Sequence, residues 1–449
     1  MRSATSFSYQ KPVCPFSGGN YNRWIMQDQS ASAPTIQSST LCWFERPTIW
    51  FWLAIVIGAA LRVYCVVFTT GTSDMDDWED HAQQVHDRGL IGYYHANAFA
   101  NHPPFISKAG SLILQMSAAT HIPFRILFRT PFAFLDAANA WLLFLLLPEN
   151  RWRLCATACY WLSPAAILIS AYHGNTDTAV AFFLLLSVWL ATNKQIVSSG
   201  AALGASLWVK LPGILALPAL LILFRRWRLR GIFLLAAAIT ALSTYLPALI
   251  QDYKVVCTNV FGYRGLILQT AEGVPLWGPS VLLFSTLVPV QAWPEKYLRS
   301  TLFVLEHSSS IAIAAMLVLS WLRRNRTSPQ EVCATIGMAY AVLFGFSDYW
   351  AFQYFAWALP FWFFLRWWYS IPAVSLTSAY LYSLHWLFCG NGWLLGKWHF
   401  LGHPALPSLV LVIRSLAVSF FFIGACAFLI RAFRRQPVSI SAPEPMKDG

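Results

Sequence analysis

Apolar runs close to membrane-spanning length recur along the whole chain, and this recurrence constrains the fold more than any other feature. A helix needs roughly 20 apolar residues to cross a bilayer. Runs of that order occupy 49–69, 128–148, 152–171, 177–193, 197–211, 213–224, 231–250, 300–322, 331–346, 350–366, 369–388 and 407–430. With 57% hydrophobic and 11% charged residues, the chain lies far from soluble domains, which carry roughly 25% charge. The expected fold class is therefore an all-α integral membrane protein, a polytopic helical bundle.

Arginines punctuate the runs at Arg151 and Arg153, at 225–230, at 323–326, and at Arg431, Arg434 and Arg435. If all four groups face the cytoplasm, parity requires about 12 transmembrane helices with both termini cytoplasmic. The proline-flanked stretches 105–119 and 278–290 then fit as re-entrant or interfacial pieces. The layout is a tail over 1–44, a transmembrane domain over 45–435 and a second tail over 436–449. External loops fall at 70–127 and 251–299. The net charge of +12 is used up by these topological clusters, and no basic face with polar readers points to nucleic acid. Nine cysteines without CxxC or CxxH spacing indicate neither a zinc site nor a disulfide framework.

The external side is where the chemistry concentrates. Asp74, Asp76, Asp77, Glu79 and Asp80 put five carboxylates into seven residues of a chain with 19 acids in all, directly after the first apolar run. One or two acids would serve to start a helix, where they complement its dipole. Five exceed that need, and ionisable groups beside a membrane are functional candidates by default. Asp74 and Asp76 form a D-x-D pair, while Asp77 and Asp80 would share a helical face.

Further polar residues fall on the same side. Asn101-His102-Pro103-Pro104 turns the chain back, because prolines lack the amide donor and fix φ. Asp136 lies inside an apolar run, where a satisfied structural carboxylate and a functional one are equally good readings. His173-Gly174-Asn175-Thr176-Asp177 makes a polar turn in which Asp177 can cap the next helix and His173 can donate to a substrate. Lys210, before Pro212, either snorkels or joins Arg264 as a cation for an anionic ligand.

Taken in order, these segments resemble the GT-C glycosyltransferases, in particular the family-87 and GPI-mannosyltransferase-like branch. The resemblance rests on Asp74-Met75-Asp76, the Asn-His-Pro-Pro segment, Phe134-Leu135-Asp136, the His173–Asp177 segment, Trp208-Val209-Lys210-Leu211-Pro212, and Gln353-Tyr354-Phe355 leading to Leu359-Pro360. It implies a GT-C-type bundle with an external acidic juxtamembrane loop. The implied activity moves a hexose, with mannose the first choice, from a polyprenyl-phosphate-linked donor to a glycan, lipid or protein acceptor. Asp74 would be the catalytic base and Asp76 its assistant, with a divalent cation (Mg or Mn) held by these two if anywhere. Asp77, His102, His173, Asp177, Lys210, Arg264 and Gln353 stand as candidate substrate-binding side chains. The chain departs from relatives with a late His-Glu-Lys motif, having Asp348-Tyr349-Trp350 instead.

Two other classes compete with this reading. A transporter or flippase of a lipid-linked or anionic solute would use the cations for substrate and the acids for protons. Carriers, however, place such groups near the bilayer midplane, often in two similar halves. A ligase or polymerase of lipid-linked glycans would rely on a large late loop, and 389–406 is short. No external Asn-x-Ser/Thr acceptor is present, which favours a bacterial inner membrane over the endoplasmic reticulum.

Overall fold

A computed structural model describes residues 47–97, 100–263, 265, 267–268, 275–284, 294–398 and 406–434. Among the described residues every regular element is helical, with one isolated bridge between Ile267 and Trp350. Both expected tails and Arg264 lie outside them.

Each expected run is helical, but the runs differ in length and straightness. The helices α1 (Pro47–Phe68), α10 (Trp227–Val256, continued by a π-turn to Phe261) and α17 (Ser408–Arg434) are long and apolar enough to cross a bilayer. Two further candidate spans are broken. One joins α5 (Arg151–Trp161) to α6 (Pro164–Ile167) and its π-helical extension Leu168–His173 with a 46° bend. The other joins α12 (Glu295–Glu306) to α13 (Ser308–Leu322) with a 60° bend. Among the described residues the structure thus supports a helical membrane protein with three to five helices long and apolar enough to span; it does not establish the twelve crossings expected.

Several of the other runs form shorter helices. The helices α7 (Asp177–Thr192) and α8 (Ile196–Val209) have 16 and 14 residues, and at 1.5 Å per residue the shorter is about 21 Å long. They are apolar without reaching bilayer thickness, and they pack inside the protein. Small residues let α8 approach α10 closely: a Cβ added at Gly200 or Gly204 would stand 2.3 Å from the Phe233 carbonyl oxygen or 2.4 Å from that of Ala237. Close backbone approach at small-xxx-small positions is a usual way for helices to associate where hydrophobicity gives no preference.

Two helices outside the runs follow α1. α2 (Asp74–Ala96) packs on α3 (Pro104–Thr120), so the proline-flanked stretch 105–119 is a helix. α4 (Phe124–Leu146) follows it. A 3-10 turn (Leu211–Ala216), α9 (Leu217–Leu220) and a short 3-10 segment lead from α8 toward α10. The short α11 (Pro279–Phe284) covers the start of the other proline-flanked stretch, 278–290, whose remainder lies outside the described residues. The late part comprises α14 (Pro329–Phe346), a 3-10 helix (Phe352–Trp357), α15 (Leu359–Trp362) and α16 (Trp367–Cys389). Its core is aromatic, with Trp277, Trp350, Phe355, Tyr380 and Phe421 in ring contact.

Candidate functional site

Chain reversals bring the polar segments to one end of the bundle. α1 stops at Phe68 and a short turn delivers Asp74 as the first residue of α2. The broken helix from Arg151 ends at His173, because Gly174 takes a positive φ of 65°, a conformation glycine adopts without the Cβ penalty. α7 and α8 form an antiparallel pair, so Asp177 at the start of one meets Lys210 just after the end of the other.

Asp74 sits at the mouth, with 34% of its side chain exposed. Its Oδ2 lies 3.2 Å from His173 Nε2 and 3.5 Å from Asn175 Nδ2. The other ring nitrogen, Nδ1, lies 2.7 Å from the Thr72 hydroxyl. With the Nε2 proton on the Asp74 side, Nδ1 accepts from Thr72, and the imidazole is fixed from both ends. Burial pushes the Asp74 carboxyl up, but His173, Lys210 and His102 outweigh it and hold it below its ordinary value. Asp74 is therefore a carboxylate kept ionised at a partly open mouth.

Lys210 forms the second part. Its Nζ donates to Asp177 Oδ2 at 2.6 Å, and Trp357 Nε1 donates to Oδ1 at 2.5 Å. The ammonium also stands 5.4 Å from the Tyr354 ring centroid, and Tyr354 stacks on Trp357 at 4.3 Å. Asp177 is fully buried and Lys210 15% exposed, so Lys210 is a held cation and not a snorkelling one. His102 stacks on Trp78 at 4.1 Å. Burial, then Lys210 and His81, lower its pKa well below the ordinary imidazole value, so it stays neutral at physiological pH.

The expected residues Asp74, His102, His173, Asp177 and Lys210 are thus neighbours. Asp76 does not join them. Asp76 is two positions from Asp74 on one helix, a rotation of about 200°, and lines a separate cavity of about 520 Å³ with Glu79, Arg125 and Lys397. The D-x-D pair does not converge on one point, so these two carboxylates do not fit a shared metal ion. Among the described residues no group of three or more His, Cys, Asp or Glu is placed to hold one. Asp77 is exposed, and its carboxyl is raised by burial of its surroundings and by Asp74, Asp76 and Asp80. Gln353 lies half-buried on the 3-10 helix that carries Tyr354 and Trp357.

Asp136 resolves as structural. It takes both Nε and Nη2 of Arg62 at 2.9 and 2.5 Å, the Ser170 hydroxyl at 3.1 Å, and the Tyr160 hydroxyl. Every one of these groups is buried, as a charge away from water requires.

The sequence reading missed three contributors. Thr72 and Asn175 brace His173 and Asp74, and only the fold shows this. Arg129 on α4 is fully buried without a carboxylate: it donates to Val66 O, Thr69 O, Thr69 Oγ1, Tyr172 O and Arg125 O at 2.8 to 3.1 Å. It ties the end of α1, which leads to Asp74, to the end of the segment carrying His173. Asp348 pins a loop, accepting from the Ser280 amide at 2.9 Å.

No known family model matches this chain, and no curated protein matches it.

Proposed function

We propose that this protein is an integral membrane glycosyltransferase that moves a hexose from a polyprenyl-phosphate carrier to an acceptor on the external face. The observation that carries the reading is Asp74: a partly exposed carboxylate held ionised by His173, with the cation Lys210 close enough to act on it. In this reading the acceptor hydroxyl oxygen attacks the anomeric carbon and its proton passes to Asp74. The bond from that carbon to the phosphate oxygen breaks, and its electron pair leaves on the polyprenyl phosphate, giving inversion. Asp74 Oδ2 faces His173 and Asn175, which leaves Oδ1 to take the proton. Lys210 stabilises the charge that grows on the departing phosphate.

The placement of charges supports an external site and cytoplasmic arginines. The segment from Arg151 to His173 runs from an arginine-bearing end to the site end, and α8 returns to the site end at Lys210 before the chain runs back to Arg225 and Arg226. In this reading that polarity supports about 12 crossings with both termini cytoplasmic, the short helices α7 and α8 crossing inside the bundle, in a bacterial inner membrane. The deciding experiment presents purified protein in nanodiscs with a panel of polyprenyl-phosphate sugars and measures release of polyprenyl phosphate. Wild type is expected to release it from one donor, and Asp74→Asn to lose about 10²- to 10⁴-fold, the usual worth of a positioned base. Release by Asp74→Asn at the wild-type rate would remove the base assignment, and no release from any donor would move the reading to transport.

A further inference from the structure

At the end of the bundle opposite Asp74 lies a second, larger cavity of about 1070 Å³. Its wall includes Arg323, Arg324, Arg326, Arg366 and Arg431 against a single carboxylate, Glu331. That carboxylate is already engaged by Arg323 at 2.5 Å, so four arginine charges face the space without a carboxylate in the wall to balance them. Part of the wall is apolar and aromatic, with Phe364, Leu365 and Phe428, and the 41% exposed Trp368 at its edge. Arg431 lies 5.3 Å from the Trp368 ring centroid, which holds that guanidinium over the cavity rim.

A second feature points to an anion. The 23-residue helix α16 begins at this cavity, and no side chain caps its first turn; such a terminus attracts negative charge. Positive-inside topology accounts for arginines in a loop. It does not account for arginines from three separate segments meeting over one cavity that also has an aromatic wall.

We propose that this cavity is a binding site for an anionic phospholipid, with the phosphate among Arg324, Arg366 and Arg431 and an acyl chain along Phe364, Leu365 and Phe428. Guanidinium groups bind phosphate oxygens in a planar, bidentate manner, and basic pockets between membrane helices on the cytoplasmic side suit such headgroups. The site is independent of the sugar-transfer reading, because it needs only a helical protein in a membrane.

The test uses delipidated full-length protein in a non-ionic detergent. Binding of phosphatidylglycerol and of phosphatidylcholine is measured by native mass spectrometry, with inorganic phosphate as competitor. Wild type should prefer phosphatidylglycerol at least tenfold, and Arg366→Gln with Arg431→Gln should bring the two lipids within about twofold, as each charge near an anionic headgroup is worth about 1 kcal/mol. Should the double variant fail to fold, Arg431→Gln alone and Arg324→Gln alone each have to reduce the preference. Equal binding of the two lipids by wild type, an undiminished preference in the variants, or full competition by millimolar phosphate would each overturn the proposal, the last by making the site one for a free anion.

Discussion

Replacing Lys210 by Met tests whether its contact with Asp177 is a true buried pair. The two charged atoms stand 2.6 Å apart, with Asp177 fully buried. At an effective dielectric of about 20, a contact of that length is worth about 6 kcal/mol of Coulomb energy. Part of this is offset, because removing Lys210 also removes the cost of desolvating its ammonium. Trp357 continues to donate to Asp177, and a hydrogen bond to a charged group retains about 1.5–3 kcal/mol. The variant is left with a buried, half-satisfied carboxylate, and breaking such pairs costs about 3–5 kcal/mol. We therefore expect Lys210→Met to destabilise by about 3 kcal/mol. Adding Asp177→Asn removes the orphan charge and should restore most of that loss, a coupling of about 2 kcal/mol in the double-mutant cycle. Unfolding in mixed micelles, followed by circular dichroism, reads the stabilities. Binding of the lipid-linked donor, measured on the same samples, should stay weak in the restored double variant, because Lys210 is still missing. A loss below about 1 kcal/mol, or no coupling, would refute the buried pair, and donor binding that recovers with stability would refute Lys210 as a phosphate contact.

The remaining predictions concern the neighbouring residues. Asp74 is held below its ordinary pKa, so its ionised form, and the stability it contributes, is complete above the unfolded value near 3.9 and is lost only as pH falls through the lower folded value. The acid limb of kcat/KM should therefore lie below about pH 4, and His173→Gln should move it upward by removing the imidazole and leaving burial to act; an unmoved limb would sever the link between the two residues. Gly174→Ala should destabilise by about 2–5 kcal/mol. At φ 65° and ψ 43° the left-handed conformation alone costs about 1–2 kcal/mol, and a Cβ there would fall 2.1 Å from Arg129 Cγ, a clash that adds about 1–3; a melting loss no larger than the conformational part would show that Arg129 yields freely.

Helix positions were legible because burial in lipid or protein demands long apolar runs, and each run is indeed helical. Helix lengths were less legible, since an apolar run reads alike whether it faces lipid or protein; α7 and α8 belong to the second kind. The bend between α5 and α6 was written in Ser163-Pro164, since the residue before proline avoids helical angles, yet the run 152–171 reads as one span. The splitting of Asp74 from Asp76 follows from helical periodicity once Asp74 opens a helix. The Lys210–Asp177 pair is different in kind: 33 residues separate them, and only the register of the α7–α8 hairpin joins them. Arg129 gave no signal, because an arginine near the start of an apolar run looks like an interfacial anchor.

Arg129 also alters what an approaching ligand meets. The carbonyls it occupies at Val66, Thr69 and Tyr172 come from the last turns of two helical segments that end at the mouth, and such ends otherwise carry partial negative charge. By covering them with a guanidinium that has no carboxylate partner among the described residues, the protein silences two negative poles at the entrance. In the proposed reading, the lipid-linked phosphate is admitted as much by the oxygens hidden from it as by the cation that greets it.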